Sequence, residues 1–148
     1  TDFTPEDWRR MMAVNLDGTF YCCRSALPSM IHRHSGSIIT TSSIWGLTGA
    51  SCEVPYSAAK AGIIGLTKAL AKEVGPSGIR VNCIAPGVVD TEMNGALGQE
   101  VMDQLREETP LCTIGTPQQI AQVSLFLAGE QASFVTGQVI SPNGGFFC

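Results

Sequence analysis

Residues 36–87 read GSIITTSSIWGLTGASCEVPYSAAKAGIIGLTKALAKEVGPSGIRVNCIAPG, and the order of patterns within this stretch decides the fold. Gly36-Ser-Ile-Ile-Thr-Thr-Ser42 is too short and too β-branched for a helix and reads as a strand buried on both faces. A helix follows from about Tyr56 to Val74, preceded by Pro55 and stopped at Gly75-Pro76. Ile79-Arg-Val-Asn-Cys-Ile-Ala85 is a second buried strand, closed by Pro86-Gly87. Strand, helix, strand in this order requires a crossover, so the two strands lie parallel with a helix on the face of the sheet.

Working outward, Thr4-Pro5-Glu6-Asp7 is a helix start: Thr4 caps, Pro5 takes the first helical position, and Asp7 stands at capping-box spacing. Phe3 and Trp8 are placed for a hydrophobic staple. Trp8, Met12, Leu16, Phe20, Cys23, Leu27 and Met30 recur at helical steps, predicting a long helix, or two in series, buried along one side; Pro28 is expected to kink or shorten its end. Beyond the second strand, Asp90 to Thr109 is acidic and polar and reads as a helical flap. Thr116-Pro117-Gln-Gln-Ile120 opens a helix through Leu127, and Gln138-Val-Ile140 is a third short strand. The predicted class is α/β, a doubly wound parallel sheet. Three strands are few for such a domain, and neither a Gly-x-Gly-x-x-Gly turn nor a Walker sequence is present. The expectation is that residues 1–148 form the C-terminal catalytic part of one domain whose nucleotide-binding half lies upstream.

The 148 residues are 44% hydrophobic and 15% charged with a net charge of −4, a balance that disfavours a disordered tail or a phosphate-gripping nucleic-acid binder. No apolar run approaches the roughly 20 residues of a membrane span, so the expected setting is the cytoplasm. Cys22, Cys23, Cys52, Cys83, Cys112 and Cys148 are scattered without a Cys-x-x-Cys pair and read as reduced, mostly structural thiols; His32 and His34 alone do not suggest a zinc site.

Chemistry concentrates around Tyr56. Lys60 follows four residues later, so both side chains share one helix face about a turn apart. A phenol is a poor acid or base near neutrality, and a neighbouring ammonium favours its ionised form, which makes the pair a usable proton donor and acceptor. A surface helix pair would have the same spacing; the surroundings argue against it. Ser43 lies at the end of the first strand, where sheet-end loops carry ligand-contacting groups, and its hydroxyl could hold a carbonyl oxygen beside the phenol. Asn15 is a polar residue in an otherwise apolar stretch, with two readings: it satisfies a backbone kink, or it tethers a water near Lys60. Ala58, Ala61, Gly65 and Ala69 form a small-residue line that permits close contact with the sheet or with a neighbouring helix.

As a set, Asn15-Leu16-x-Gly18, Ser43, Tyr56-Ser-Ala-Ala-Lys60, Arg80-Val-Asn82-x-Ile-Ala-Pro86-Gly87, Thr136-Gly137-Gln138 and Asn143-Gly144-Gly145 resemble the short-chain dehydrogenase/reductase family in order and spacing over essentially the whole chain. The resemblance implies a Rossmann-type oxidoreductase in which Tyr56 is the acid/base, Ser43 orients the carbonyl, Lys60 holds the nicotinamide ribose, and Asn15 supports a water relay. It further implies that Pro86, Gly87, the backbone near Val89 and the Thr91 hydroxyl contact the nicotinamide side of the cofactor, NADPH with NADH as alternative. The family's Gly-rich turn and adenine-contacting acidic residue have no counterpart here. The chain most resembles the bacterial 3-oxoacyl-carrier-protein reductases, which take a carrier-bound ketone. Ser43-Ile-Trp-Gly46 with Gly49-Ala-Ser-Cys-Glu53 is similar to the elongation factor P 5-aminopentanone reductases, whose substrate is a modified lysine. Glu53 separates those alternatives: it pairs with a cationic substrate, or it simply occupies the helix N-terminus. The family likeness also implies a homodimer or homotetramer, with the Tyr56 and Asn15 helices forming the dimer face and Asn143 to Cys148 contributing to a tetramer. The rival from another class is an inactive oligomerisation fragment.

Overall fold

The computed structural model describes residues 2–92, 94 and 98–148. Its centre is a three-stranded parallel sheet in the order β1 (Gly36–Thr41), β2 (Ile79–Ile84), β3 (Val139–Ile140). Gly36 stands opposite Ile79 and Thr41 opposite Ile84, while Cys83 and Ile84 pair with Val139 and Ile140. Side chains alternate across β2, and each face meets its own helices. Ile79 and Val81 pack with Cys23, Leu70, Ala71 and Val74 of α2 (Gly18–Arg33) and α4 (Val54–Val74). On the opposite face, Ile84 packs with Leu127 of α6 (Pro117–Ala128) and with Ala132. Helices on both faces explain why the Ile79–Ala85 run is apolar almost throughout. Burial of this kind contributes about 25 cal/mol per Å² of apolar surface.

The strand Gly36–Thr41 departs from its expectation. Only Thr40 is buried, since β1 pairs along one side alone among the described residues and most of its face is half-covered.

The N-terminal stripe forms α1 (Pro5–Met12), a π-helical turn over Ala13–Asp17, and α2. Thr4 makes the expected capping box with Asp7: its hydroxyl accepts from the Asp7 N–H at 3.1 Å, and the Asp7 carboxylate accepts from the Thr4 N–H at 3.0 Å. The Thr4 hydroxyl, at 2.7 Å, and the Thr4 N–H both donate to the Asp7 carboxylate and hold it below its ordinary range. The stripe itself is buried only at Cys23, with Trp8 and Phe20 each a little under half-exposed, so it is a half-covered face. Phe3 and Trp8 occupy the staple positions and are both about half-exposed, 48% and 42%. Pro28 does not shorten α2. The helix continues to Arg33 and ends in the left-handed conformation at His34 (φ 51°), because one proline costs the helix a single N–H donor on an exposed side.

The expected helix after Pro55 starts at Val54, and a short helix, α3 (Ile44–Thr48), follows Ser43 where a loop was expected. The acidic segment contains α5 (Gln99–Glu108), none of whose residues is buried; positions 93 and 95–97 of the expected flap lie outside the described residues. Arg80 closes α6 by donating to the carbonyls of Leu127 (2.6 Å), Ala128 and Gly129 (both 3.2 Å), the position where a cation complements a helix C-terminus. Asn82, fully buried, donates to the Val135 carbonyl and accepts from the Gln138 N–H, which aligns β3 with β2. All six cysteines are free, but only Cys23 and Cys83 are buried, so the structural reading holds for those two alone. No helix among the described residues is long and apolar enough to cross a membrane.

Candidate active site

The carboxyl end of β1 is fastened to the first turns of α4 by a seam of hydrogen bonds. The buried Ser42 hydroxyl donates to the Lys60 carbonyl at 2.8 Å, and the Lys60 ammonium donates to the Thr41 carbonyl at 3.2 Å. Deeper in the same interface, the hydroxyls of Thr40 and Thr67 meet at 2.6 Å with both residues buried. Gly46 lies so close that an added Cβ would stand 2.5 Å from the Ser42 hydroxyl and 2.8 Å from the Lys60 carbonyl carbon. The absence of a side chain at Gly46 is what lets α3 rest on α4.

Tyr56 and Lys60 share a face of α4 as their spacing requires, with Nζ 5.5 Å from the phenol ring centroid. Burial holds the Lys60 ammonium below its ordinary range, with the charge of an ionised Cys83 thiol acting in the opposite sense. That ammonium has three donors and, among the described residues, one carbonyl partner, which leaves protons for the hydroxyls of a ribose. Its donor set therefore fits the nicotinamide end of a dinucleotide.

Ser43 is the N-cap of α3, with extended backbone, and its hydroxyl oxygen accepts from the Trp45 N–H at 3.2 Å. Used as an acceptor there, the hydroxyl keeps its proton available for a carbonyl oxygen. The residue after it is tied across the sheet end: the Ile44 N–H donates to the Pro86 carbonyl at 3.0 Å. Pro86, two residues past β2, thus supports the Ser43 loop. Gly87 has no room for a side chain, since a Cβ would lie 2.8 Å from Asn143 Cα.

For Asn15 the structure favours the backbone reading. Its amide donates from the π-turn back to the Met11 carbonyl of α1 at 3.1 Å, and its main-chain carbonyl accepts from the Thr19 hydroxyl at 2.6 Å. Leu16 of that turn abuts Gly62 of α4, where a Cβ would lie 2.8 Å away. A cleft of about 660 Å³ beside β1 takes in Asn15, Thr41 and Lys60 but neither Ser43 nor Tyr56. Another, of about 620 Å³, opens on α1 and shares only Asn15 with the predicted set.

The remaining candidates are more peripheral. Val89 bridges to Gly115, and its carbonyl accepts from the Asn94 amide at 2.7 Å; Thr91 is exposed, its carbonyl accepting from the Asn94 N–H. Glu53 is the N-cap residue of α4, exposed, and its side chain makes no capping bond, so occupancy of the helix terminus does not by itself engage the carboxylate. Sequence reasoning missed Ser42, Gly46 and the Thr40–Thr67 pair. A small residue at position 46 and hydroxyls in an apolar setting were the available signals, yet each is ordinary alone.

Comparison with known proteins gives the family. A family profile described as enoyl-(acyl carrier protein) reductase matches residues 1–147. The chain is 45% identical over 141 residues to the 3-oxoacyl-[acyl-carrier-protein] reductase FabG of Aquifex aeolicus, covering 95% of this chain and 57% of that one. It is 44% identical over 148 residues to the uncharacterized oxidoreductase YmfI of Bacillus subtilis, covering 100% and 61%. A crystal structure of a 3-oxoacyl-[acyl-carrier protein] reductase with bound NAD from Brucella melitensis superposes with a TM-score of 0.91 at 40% identity, over 99% of this chain and 55% of that one. The chain therefore spans somewhat over half the length of the relatives it matches.

Proposed function

The chain belongs to the short-chain dehydrogenase/reductase family of oxidoreductases, Rossmann-type in fold, and from that premise we propose that its protein reduces a ketone to a secondary alcohol with a nicotinamide cofactor. The observation that carries this reading is the Tyr56–Lys60 pair, locked through Ser42 and Thr41 to the strand end that presents Ser43. When bound, a reduced nicotinamide would supply the hydride for the carbonyl carbon. Ser43 donates its free proton to the carbonyl oxygen and orients it, and Tyr56 delivers the proton that completes the alcohol. The Lys60 cation over the ring offsets the charge left on the phenol oxygen and holds the ribose through its spare donors. Asn15 keeps the π-turn that, with Lys60, walls the cleft beside β1. Pro86, Gly87, Val89 and Thr91 form the nicotinamide side.

NADPH is the proposed cofactor, with NADH as the alternative; the relative from Brucella melitensis is described with NAD. The proposed substrate is a 3-oxoacyl chain on a carrier protein, in line with the names of the relatives. The test is Tyr56→Phe in the full protein. The phenol hydroxyl makes no hydrogen bond with the described residues, so the fold should survive while turnover falls by about 10²–10⁴, the range for general acid catalysis. Near-normal turnover would end the assignment.

A second reading rests on Glu53. Its carboxylate, exposed and unused for capping three residues before Tyr56, could meet the ammonium of an aminopentanone-modified lysine on elongation factor P. Glu53→Gln should then weaken reduction of an amino-ketone about tenfold or more and leave a neutral 3-oxoacyl thioester unaffected, the size expected for a charged hydrogen bond. Equal effects would leave the acyl substrate in place.

A further inference from the structure

Residues 143–147 form a closed turn that touches three segments around the proposed site. Asn143 builds it: its amide donates to the Phe147 carbonyl at 2.8 Å, its side-chain oxygen accepts from the Gly145 N–H at 2.8 Å, and its carbonyl accepts from the Phe146 N–H at 3.1 Å. Gly144 (φ 66°) and Gly145 (φ 89°) supply the left-handed backbone such a reversal needs. Asn143 packs on Gly87 at the end of β2. The Gly144 carbonyl accepts from the Leu111 N–H at 3.1 Å, and Gly144 and Gly145 lie against Thr109 and Pro110, just past α5. Phe146 then meets Trp45 edge-on, ring centroids 6.0 Å apart and planes at 80°.

Trp45 is the residue whose N–H donates to the Ser43 hydroxyl. From this chain of contacts we propose that Phe146 is a positioning residue for Ser43: the turn, braced on Gly87 and on the exit of α5, presses Phe146 against Trp45 and so fixes the N-cap that aims the Ser43 proton. The aromatic pair has the offset edge-to-face geometry that is favoured over simple contact, which gives the brace a preferred setting. The α3 helix has only five residues and cannot hold its own first turn without such support. The functional part of this inference rests on the role proposed for Ser43.

The experiment compares Phe146→Ala with Phe146→Tyr in the full protein, the tyrosine keeping the ring that faces Trp45. Hydrogen exchange of a peptide spanning 43–48 should speed roughly tenfold in Phe146→Ala, as expected when a local brace is lost, while exchange in β2 stays unchanged. In kinetics, the KM for the ketone should rise about fivefold with the dinucleotide KM within about twofold, because only the carbonyl-orienting group is disturbed. Phe146→Tyr should restore both. Unchanged exchange at 43–48, equal changes in both KM values, or failure of the tyrosine to rescue would overturn the proposal. Should the wild-type protein reduce no ketone, the functional reading falls, and the exchange result alone still decides whether Phe146 positions Ser43.

Discussion

The Ser42 hydroxyl donates to the main-chain carbonyl of Lys60 across 2.8 Å, joining the end of a strand to the helix that bears the proposed acid/base pair. A helical carbonyl already engaged within its helix has a second lone pair to offer, and Ser42 takes it. The bond sets the height of α4 along β1 and therefore the distance between whatever Ser43 holds and whatever Tyr56 reaches.

That seam predicts the effect of Gly46→Ala. The φ of Gly46 is not in the left-handed region, so backbone strain is not the issue; space is, because the new methyl would lie 2.5 Å from the Ser42 hydroxyl and 2.8 Å from Lys60 backbone. The backbone cannot yield as a flexible side chain would. Unfolding in denaturant should show a loss of about 1–3 kcal/mol, the usual cost of overpacking, together with reduced turnover.

Thr40 and Thr67 form a buried hydroxyl pair, with Thr67 also donating toward the Ile63 carbonyl and Thr40 near the Asn82 carbonyl at 3.3 Å. Thr40→Val or Thr67→Val leaves the other hydroxyl its carbonyl partner but removes the bond they share, and should cost about 0.5–1.5 kcal/mol. The double valine variant loses that shared bond only once, so its loss should be smaller than the sum of the singles. A double-mutant cycle by chemical denaturation checks this; strict additivity would mean the hydroxyls do not depend on each other.

Lys60 predicts a dependence on pH. Its folded pKa is held below the ordinary 10.5, chiefly by burial, so between the two values the unfolded chain binds more protons and stability rises with pH. The cost of burying the cation is thus fully present below the folded pKa and relieved as pH climbs to 10.5. Cys83, raised above 9.0 by burial, works in the opposite sense and weakens the fold above pH 9. Lys60→Met should raise the melting temperature at pH 7 and lose that advantage on the alkaline side, measured by thermal scans from pH 7 to 10.5. A gain that grew with pH would contradict the burial account.

Ala61, Gly65 and Ala69 lie on the exposed side of α4, with Ala58 half-buried, which removes packing against the chain's own sheet as the reason for the small-residue line. A Cβ at Gly65 would meet nothing within 4 Å. Gly65→Lys should therefore leave the protomer intact, helped by helix propensity of roughly 0.5–1 kcal/mol, while splitting an even oligomer built on this face. Light scattering of the wild-type and variant full proteins reads the outcome: an unchanged even oligomer would move the interface elsewhere.

The class of fold, the parallel arrangement and the spacing of Tyr56 and Lys60 were legible in the linear sequence, since local patterns report them directly. Apolar runs of six residues, a helix pattern between them and a four-residue interval need no knowledge of distant contacts. The capping box at Thr4 was legible in the same way, being made by residues three apart. What only the tertiary structure decided is how far each face is covered and which distant atoms meet. The half-burial of β1, the outward turn of Gly65, the inward turn of the Asn15 amide onto Met11, and the persistence of α2 past Pro28 all depend on what packs alongside. The Ser42–Lys60 bond spans 18 positions, Thr40–Thr67 spans 27, and Trp45 meets Phe146 from the far end of the chain. Hydrogen bonds and ring contacts are short-ranged, so residues that separate loops bring together leave no periodic trace in sequence, and only the folded backbone shows which of them share the site.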